Sequence, residues 1–163
     1  WTTARIDEAQ KYAKEHNIAG FSASQIRFNP AYNVTERSGL VGMDETEFAY
    51  YEKNNMPVVA YSSQAKGFFS KLAEQGEEAL SEKAKLRYMC DINLKKVETI
   101  KSLAEKHNCS VAALICGAFC SFDVPEVFPV IGSRNIGQLT DSLNGADIRL
   151  TDDEIKAVFA GVI

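Results

Sequence analysis

Two short stretches of this chain carry side chains suited to holding an anion. The first is Tyr61-Ser62-Ser63-Gln64-Ala65-Lys66-Gly67-Phe68-Phe69. It offers hydroxyls, one ammonium and a glycine that admits a ligand close to the backbone, a set that suits a diphosphate. The second is Ile131-Gly132-Ser133-Arg134-Asn135-Ile136, which reads as a strand-to-helix turn. Amides at a helix N-terminus, together with Ser133 and Arg134, make a phosphate site. Each stretch follows a short apolar run, and ligands of α/β folds sit at the C-terminal ends of strands. On spacing alone, either stretch is equally an ordinary capped turn.

Other reactive residue types point to structure. Cys90, Cys109, Cys116 and Cys120 contain no C-x-x-C and have no nearby histidine pair, so no metal site is expected. Cys116 and Cys120 lie four apart in an apolar stretch, which reads as free thiols on one helix face and hence a reducing, cytoplasmic setting. His16 and His107 fall near helix C-termini, where a cation suits the dipole. Tyr32, Tyr50, Tyr51 and Tyr88 have no motif context and read as surface or packing residues. No general acid with a pKa-tuning neighbour is identifiable.

The elements that must position the two turns follow from periodicity. A helix over 3–16 places Ile6, Ala9 and Ala13 on one face, with Thr2 or Thr3 as its cap. A strand is expected over 21–28, ending at Asn29-Pro30, and a loop over 30–43. Asp44 to Glu47 has the capping-box pattern and opens a helix running to about Asn54. Residues 56–62 form a buried strand, and 63–90 carry one or two short helices. A helix over 93–107 turns Leu94, Val97, Ile100, Leu103 and Ala104 inward, and Ser110 caps a buried helix. A strand over 127–131 precedes a helix over 136–146 with Ile136, Leu139 and Leu143 inward. Thr151 and Glu154 form a second capping box, with Leu150 and Ile155 as its hydrophobic staple.

Strands separated by helices imply a parallel sheet with right-handed crossovers. Three parallel strands leave two raw edges, a problem falling chiefly on Val58, Val59 and Ile131. The chain therefore reads as α/β, part of a larger sheet. It has 163 residues, 18 basic against 22 acidic, for a net charge of −4. A mildly acidic chain lacks the basic face that nucleic acid or an anionic membrane would need. No apolar run is long enough to span a bilayer. The opening Trp1-Thr2-Thr3-Ala4-Arg5 has neither signal-peptide logic nor an initiator Met, as expected of a piece of something longer.

The chain resembles the C-terminal half of an aldo-keto reductase over essentially its full length. The resemblance rests on 57–62 (Pro-Val-Val-Ala-Tyr-Ser) with Gly67, on 130–139 (Val-Ile-Gly-Ser-Arg-Asn-Ile-Gly-Gln-Leu) and on the Leu150-to-Glu154 ending. The opening residues resemble the helix that follows the fifth barrel strand of that family. The resemblance implies a partial (β/α)8 barrel over 1–163, as a single incomplete domain, with NADP(H) as cofactor. By the same resemblance, Gln25 meets the nicotinamide carboxamide and Tyr61 stacks on the nicotinamide ring. Ser62, Gln64 and Lys66 meet the diphosphate, Ser133 and Arg134 the 2′-phosphate, and Gln138 and Ser142 the adenosine end. Ser63 and Lys66 replace the Pro and second Gly common in the family's first turn, and Gln138 and Ser142 replace its frequent Arg and Asn.

The family's catalytic Asp, Tyr, Lys and His lie in its N-terminal half, and nothing here matches them. The expectation is thus a cofactor-binding C-terminal portion of an NADP(H)-dependent oxidoreductase that reduces aldehydes or ketones, inactive when isolated. Its expected partners are a nicotinamide nucleotide and either the missing half-barrel or a second copy, with self-association favoured. The alternatives are a non-enzymatic nucleotide-binding or scaffold half-barrel and an unrelated phosphate-binding α/β domain.

Overall fold

Three short strands carry the two turns: β1 (Ser24–Arg27), β2 (Val58–Tyr61) and β3 (Val127–Pro129). They form one parallel sheet in the order β1-β2-β3. The computed structural model describes residues 1–35 and 39–163; positions 36–38, inside the loop expected over 30–43, lie outside the described residues. The helices are α1 (Thr3–Glu15), α2 (Glu45–Asn54), α3 (Phe68–Gln75), α4 (Glu82–Tyr88), α5 (Asp91–Lys106), α6 (Val111–Cys120), α7 (Ile136–Asn144) and α8 (Asp152–Phe159). Short 3-10 turns occupy Ala65–Gly67, Glu77–Ala79 and Gly145–Asp147. Strands alternating with helices on a parallel sheet make this an α/β fold, as expected. No helix among the described residues is long and apolar enough to cross a membrane.

The register sorts the strand residues into two faces. Ser24, Val58 and Val127 align in one row, and Ile26, Ala60 and Pro129 in another. Ile26, Val58, Ala60 and Val127 are buried under the helices. On the opposite face Gln25, Val59 and Phe128 align, followed by Arg27 with Tyr61. Gln25 and Phe128 are exposed, and Val59 and Tyr61 half-buried, so this face is open. Val58 is therefore not at risk from an uncovered sheet. The exposed apolar residues are Phe128 and, just beyond β3, Val130.

Arg27 departs from its row by being buried. The chain returns over the end of β1, where Arg27 and Gly42 form a parallel bridge and Met43 N–H donates to the Arg27 carbonyl at 2.8 Å. A Cβ on Gly42 would meet the Arg27 guanidinium, so any other residue there would require that head group to shift. One edge of the sheet is thus covered at its C-terminal end. At the other edge Pro129 removes a donor, a common device of edge strands.

The caps behave as their chemistry dictates. Thr151 and Glu154 form the reciprocal box, with Leu150 and Ile155 both buried beside it. Ser110 accepts from Ala113 N–H at the start of α6, where every residue from Ala113 to Phe119 is buried. Asp44 accepts from Glu47 N–H, but Glu47 does not reach back; its carboxylate accepts from Thr3 instead, tying α2 to α1. Burial raises the Glu47 pKa.

Three expectations need correcting. The strand over 21–28 shrinks to Ser24–Arg27, and at its start the Phe21 N–H and carbonyl are held by the Gln10 side chain of α1 instead of by a strand. Leu94 is exposed on the outer side of α5. Ile136, Leu139 and Leu143 do not face inward: they are 83%, 41% and 55% exposed, while Ser142 is buried. The stripe on α7 is real, but it points away from this chain's core.

Candidate functional site

Both turns open into a single cavity of about 480 Å³ at the C-terminal ends of β2 and β3. Its walls bring together Ser62, Gln64, Lys66, Ser133, Arg134, Gln138 and Ser142. Gln25 and Tyr61 are not among the lining residues; they stand beside it on the open sheet face.

The first turn is built on strained backbone. Ser62, Ala65 and Lys66 have φ of 57°, 46° and 60°, and Gly67 follows at 73°. Non-glycine residues in the left-handed region cost about 1–2 kcal/mol each, and such strain concentrates at binding sites. The Gly67 and Phe68 N–H groups close the turn on itself, donating to the Gln64 carbonyl at 2.7 Å and to the Ala65 carbonyl. Gly67 is also the cap position of α3, and no side chain caps this helix. Its first N–H, that of Phe68, is taken by the Ala65 carbonyl, and the helix reaches the cavity through Ser70 and Lys71. Buried Ser63 anchors the turn to β3 by donating to the Val130 carbonyl at 2.7 Å.

Gln64 is turned differently from a ligand-binding amide. Its Nε2 donates to the Ala112 carbonyl at 3.1 Å and to Cys116 Sγ at 3.0 Å, so its N–H groups bind α6. Cys116 is buried, and that burial pushes its thiol pKa up to about 11. It stays protonated at neutral pH and serves as a packing and hydrogen-bonding group. All four cysteines are free.

The second turn starts α7 with an ordered cap. Asn135 accepts from Gln138 N–H at 2.9 Å, and Gln138 Oε1 accepts from Arg134 N–H at 2.9 Å. Ser133 and Arg134 are exposed and line the cavity.

Sequence reasoning missed Ser70, Lys71, Glu74 and Asp141, which also line the cavity. The first three recur at helical spacing from Gly67, a signal that needed the register of α3. Asp141 accepts from Ser110 Oγ at 2.8 Å, tying α7 to the start of α6. The lining thus carries three cations, Lys66, Lys71 and Arg134, against two carboxylates, Glu74 and Asp141. In a chain of net charge −4, this is a local reversal of sign that suits a polyanion. No cluster of three or more metal-ligating side chains occurs among the described residues.

The histidines sit where the sequence suggested, at the ends of α1 and α5. His107 Nε2 lies 3.1 Å from Glu154. With Lys106 at 2.8 Å and Thr151 N–H also donating, the Glu154 pKa falls to about 2. That cluster fixes the start of α8, away from the cavity.

Comparison with known proteins gives a consistent set of matches. The model of the aldo/keto reductase family matches residues 1–160. The norsolorinic acid reductase stcV of Emericella nidulans is 25% identical over 161 residues, covering 97% of this chain and 37% of the relative. The aldo-keto reductase ausK of Aspergillus calidoustus is 24% identical over 157 residues, covering 93% of this chain and 37% of the relative. Among solved structures, an aldo-keto reductase of Bombyx mori in complex with NADP superposes with a TM-score of 0.59 at 19% identity. That match covers 94% of this chain and 41% of the other. The chain therefore spans about two-fifths of the length of these proteins.

Proposed function

The chain belongs to the aldo/keto reductase family, and from that premise we propose that it is the C-terminal, NADP(H)-holding portion of a carbonyl reductase, forming part of the barrel wall as one incomplete domain. The observation that carries this reading is the cavity: two strand-end turns meet around three cations. The strained turn brings Ser62 and Lys66 to the cavity wall, a hydroxyl and an ammonium that fit a ligand with a diphosphate.

When bound, the dihydronicotinamide supplies a hydride to the carbonyl carbon. This chain's residues do the holding. Lys66 and Ser62 take the diphosphate. Gln64, its N–H groups committed to α6, holds the loop in shape for them. Arg134 takes the 2′-phosphate with Ser133, and Ser142 and Gln138 border the adenosine end. Gln25 and Tyr61 stand on the open sheet face, where an extended nucleotide leaving the cavity reaches them. A proton donor for the developing alkoxide is not contributed by this set.

The reading is tested by titrating the purified chain with NADPH, following nicotinamide emission, and assaying simple aldehydes in parallel. Binding without turnover is expected. Turnover abolished by a substitution within this chain would overturn the division of labour, and no binding of any nucleotide would overturn the reading itself.

A further inference from the structure

We infer that Cys116 is a positioning residue of the cavity: its thiol, acting through Gln64, holds the strained first turn in its binding shape and ties it to α7; this rests on the nucleotide reading above. The Gln64 carbonyl closes the turn by accepting from Gly67 N–H at 2.7 Å, so the turn pivots on this residue. The Gln64 side chain is seated on α6 between two groups one helical turn apart, the Ala112 carbonyl at 3.1 Å and Cys116 Sγ at 3.0 Å. The carbonyl can only accept, so it fixes which end of the Gln64 amide faces α6 and brings the second N–H to the sulfur.

The same thiol reaches the other side of the cavity. Ser142, the buried residue of α7, approaches it as a second hydrogen-bonding partner. The turn after α7 leans on it too, since a Cβ on Gly145 would lie 2.8 Å from Cys116 Cβ. Cys116 thus touches both walls without lining the cavity itself. Burial keeps the thiol protonated at neutral pH, with a lone pair for Gln64 and a proton to give, so its part is hydrogen bonding and not reactivity. Left-handed Ala65 and Lys66 follow Gln64 directly. Without the sulfur, one N–H of a half-buried amide loses its partner, and the side chain that opposes the strain is held at one point instead of two.

Calorimetric titration with NADPH tests this on wild type, Cys116→Ala, Cys116→Ser, Gln64→Ala and the Cys116→Ala, Gln64→Ala double variant, with the melting temperature of each. Ala and Ser are both smaller than Cys, so neither strains the packing against Gly145, and they differ only by the hydroxyl. Cys116→Ala should weaken NADPH by about two- to tenfold, the range of one hydrogen bond. Cys116→Ser should stay within about twofold of wild type, whatever its melting temperature, because affinity then follows the hydrogen bond and not the packing. In the Gln64→Ala background the loss from Cys116→Ala should fall below about twofold, since the residue through which the thiol acts is gone. No loss in Cys116→Ala, an equal loss in both backgrounds, or Ser binding no better than Ala overturns the inference and leaves the nucleotide reading standing. Failure of the wild type to bind NADPH overturns both.

Discussion

Lys96 lies outside the cavity in surroundings unusual for an ammonium. It is buried on α5, its ammonium donating to the Pro30 carbonyl just after β1. Its neighbour Asn93 ties the same loop to the end of α4, with Nδ2 donating to the Tyr32 carbonyl at 2.8 Å and the Tyr88 carbonyl at 2.7 Å. Burial lowers the Lys96 pKa from 10.5 to about 8. Between those values the unfolded chain holds a proton that the folded chain has released, so this group's contribution to stability rises with pH across the window. Cys116 acts in the opposite direction above pH 9, since its thiol pKa is raised by folding. Subtracting the denaturation curve of Lys96→Met isolates the lysine. The stability difference, wild type minus variant, should grow by about 1–3 kcal/mol from pH 8 to 10.5. Parallel curves would show that the ammonium is solvated in the folded state.

At the scale of elements, α6 is the wall on which the cavity is hung. Its Ala112 lines the cavity, its Cys116 and Ala112 hold Gln64, and its cap residue Ser110 holds Asp141 of α7. The turn after α7 packs against it so closely that Gly145 has no room for a side chain. A Cβ there would overlap the Ala113 carbonyl and lie 2.8 Å from Cys116 Cβ. Gly145→Ala should destabilise the fold by about 1–3 kcal/mol in urea denaturation, the cost of overpacking against backbone. A change below about 0.5 kcal/mol would mean that α6 and α7 slide freely. Much of this scaffold was readable before any coordinates. The caps at Ser110 and Thr151 depend on residues three apart, and the buried α6 announces itself by being apolar throughout. Periodicity could find the Ile136, Leu139 and Leu143 stripe on α7 but not what covers it, so its direction was misread. Likewise, both turns were legible as composition, whereas the commitment of Gln64 to α6 depends on a residue 52 positions away. Lys71 and Glu74 stayed hidden because the register of α3 is set by the strained turn before it.

The whole molecule presents surfaces that a finished barrel would not. Phe128 and Val130 stand 52% and 45% exposed on the open face, and Ile136 of α7 is 83% exposed. A closed barrel needs about eight strands, and three are present among the described residues. The isolated chain should therefore self-associate through the open face or a sheet edge, burying more than roughly 2,000 Å² in total. Sedimentation over a wide concentration range should show mass rising with concentration. A monomer throughout, with the β1 and β3 amides protected from exchange, would mean that the roof over Arg27 and the Pro129 edge suffice. Whether the cavity holds a 2′-phosphorylated nicotinamide nucleotide is decided by calorimetric titration of wild type and Arg134→Ala with NADPH and NADH. Loss of a charge-assisted hydrogen bond should weaken NADPH by about 1.5–3 kcal/mol and NADH far less. Equal losses for the two nucleotides would contradict that role of the cavity, because the charge at the α7 turn would then not be reading the phosphate.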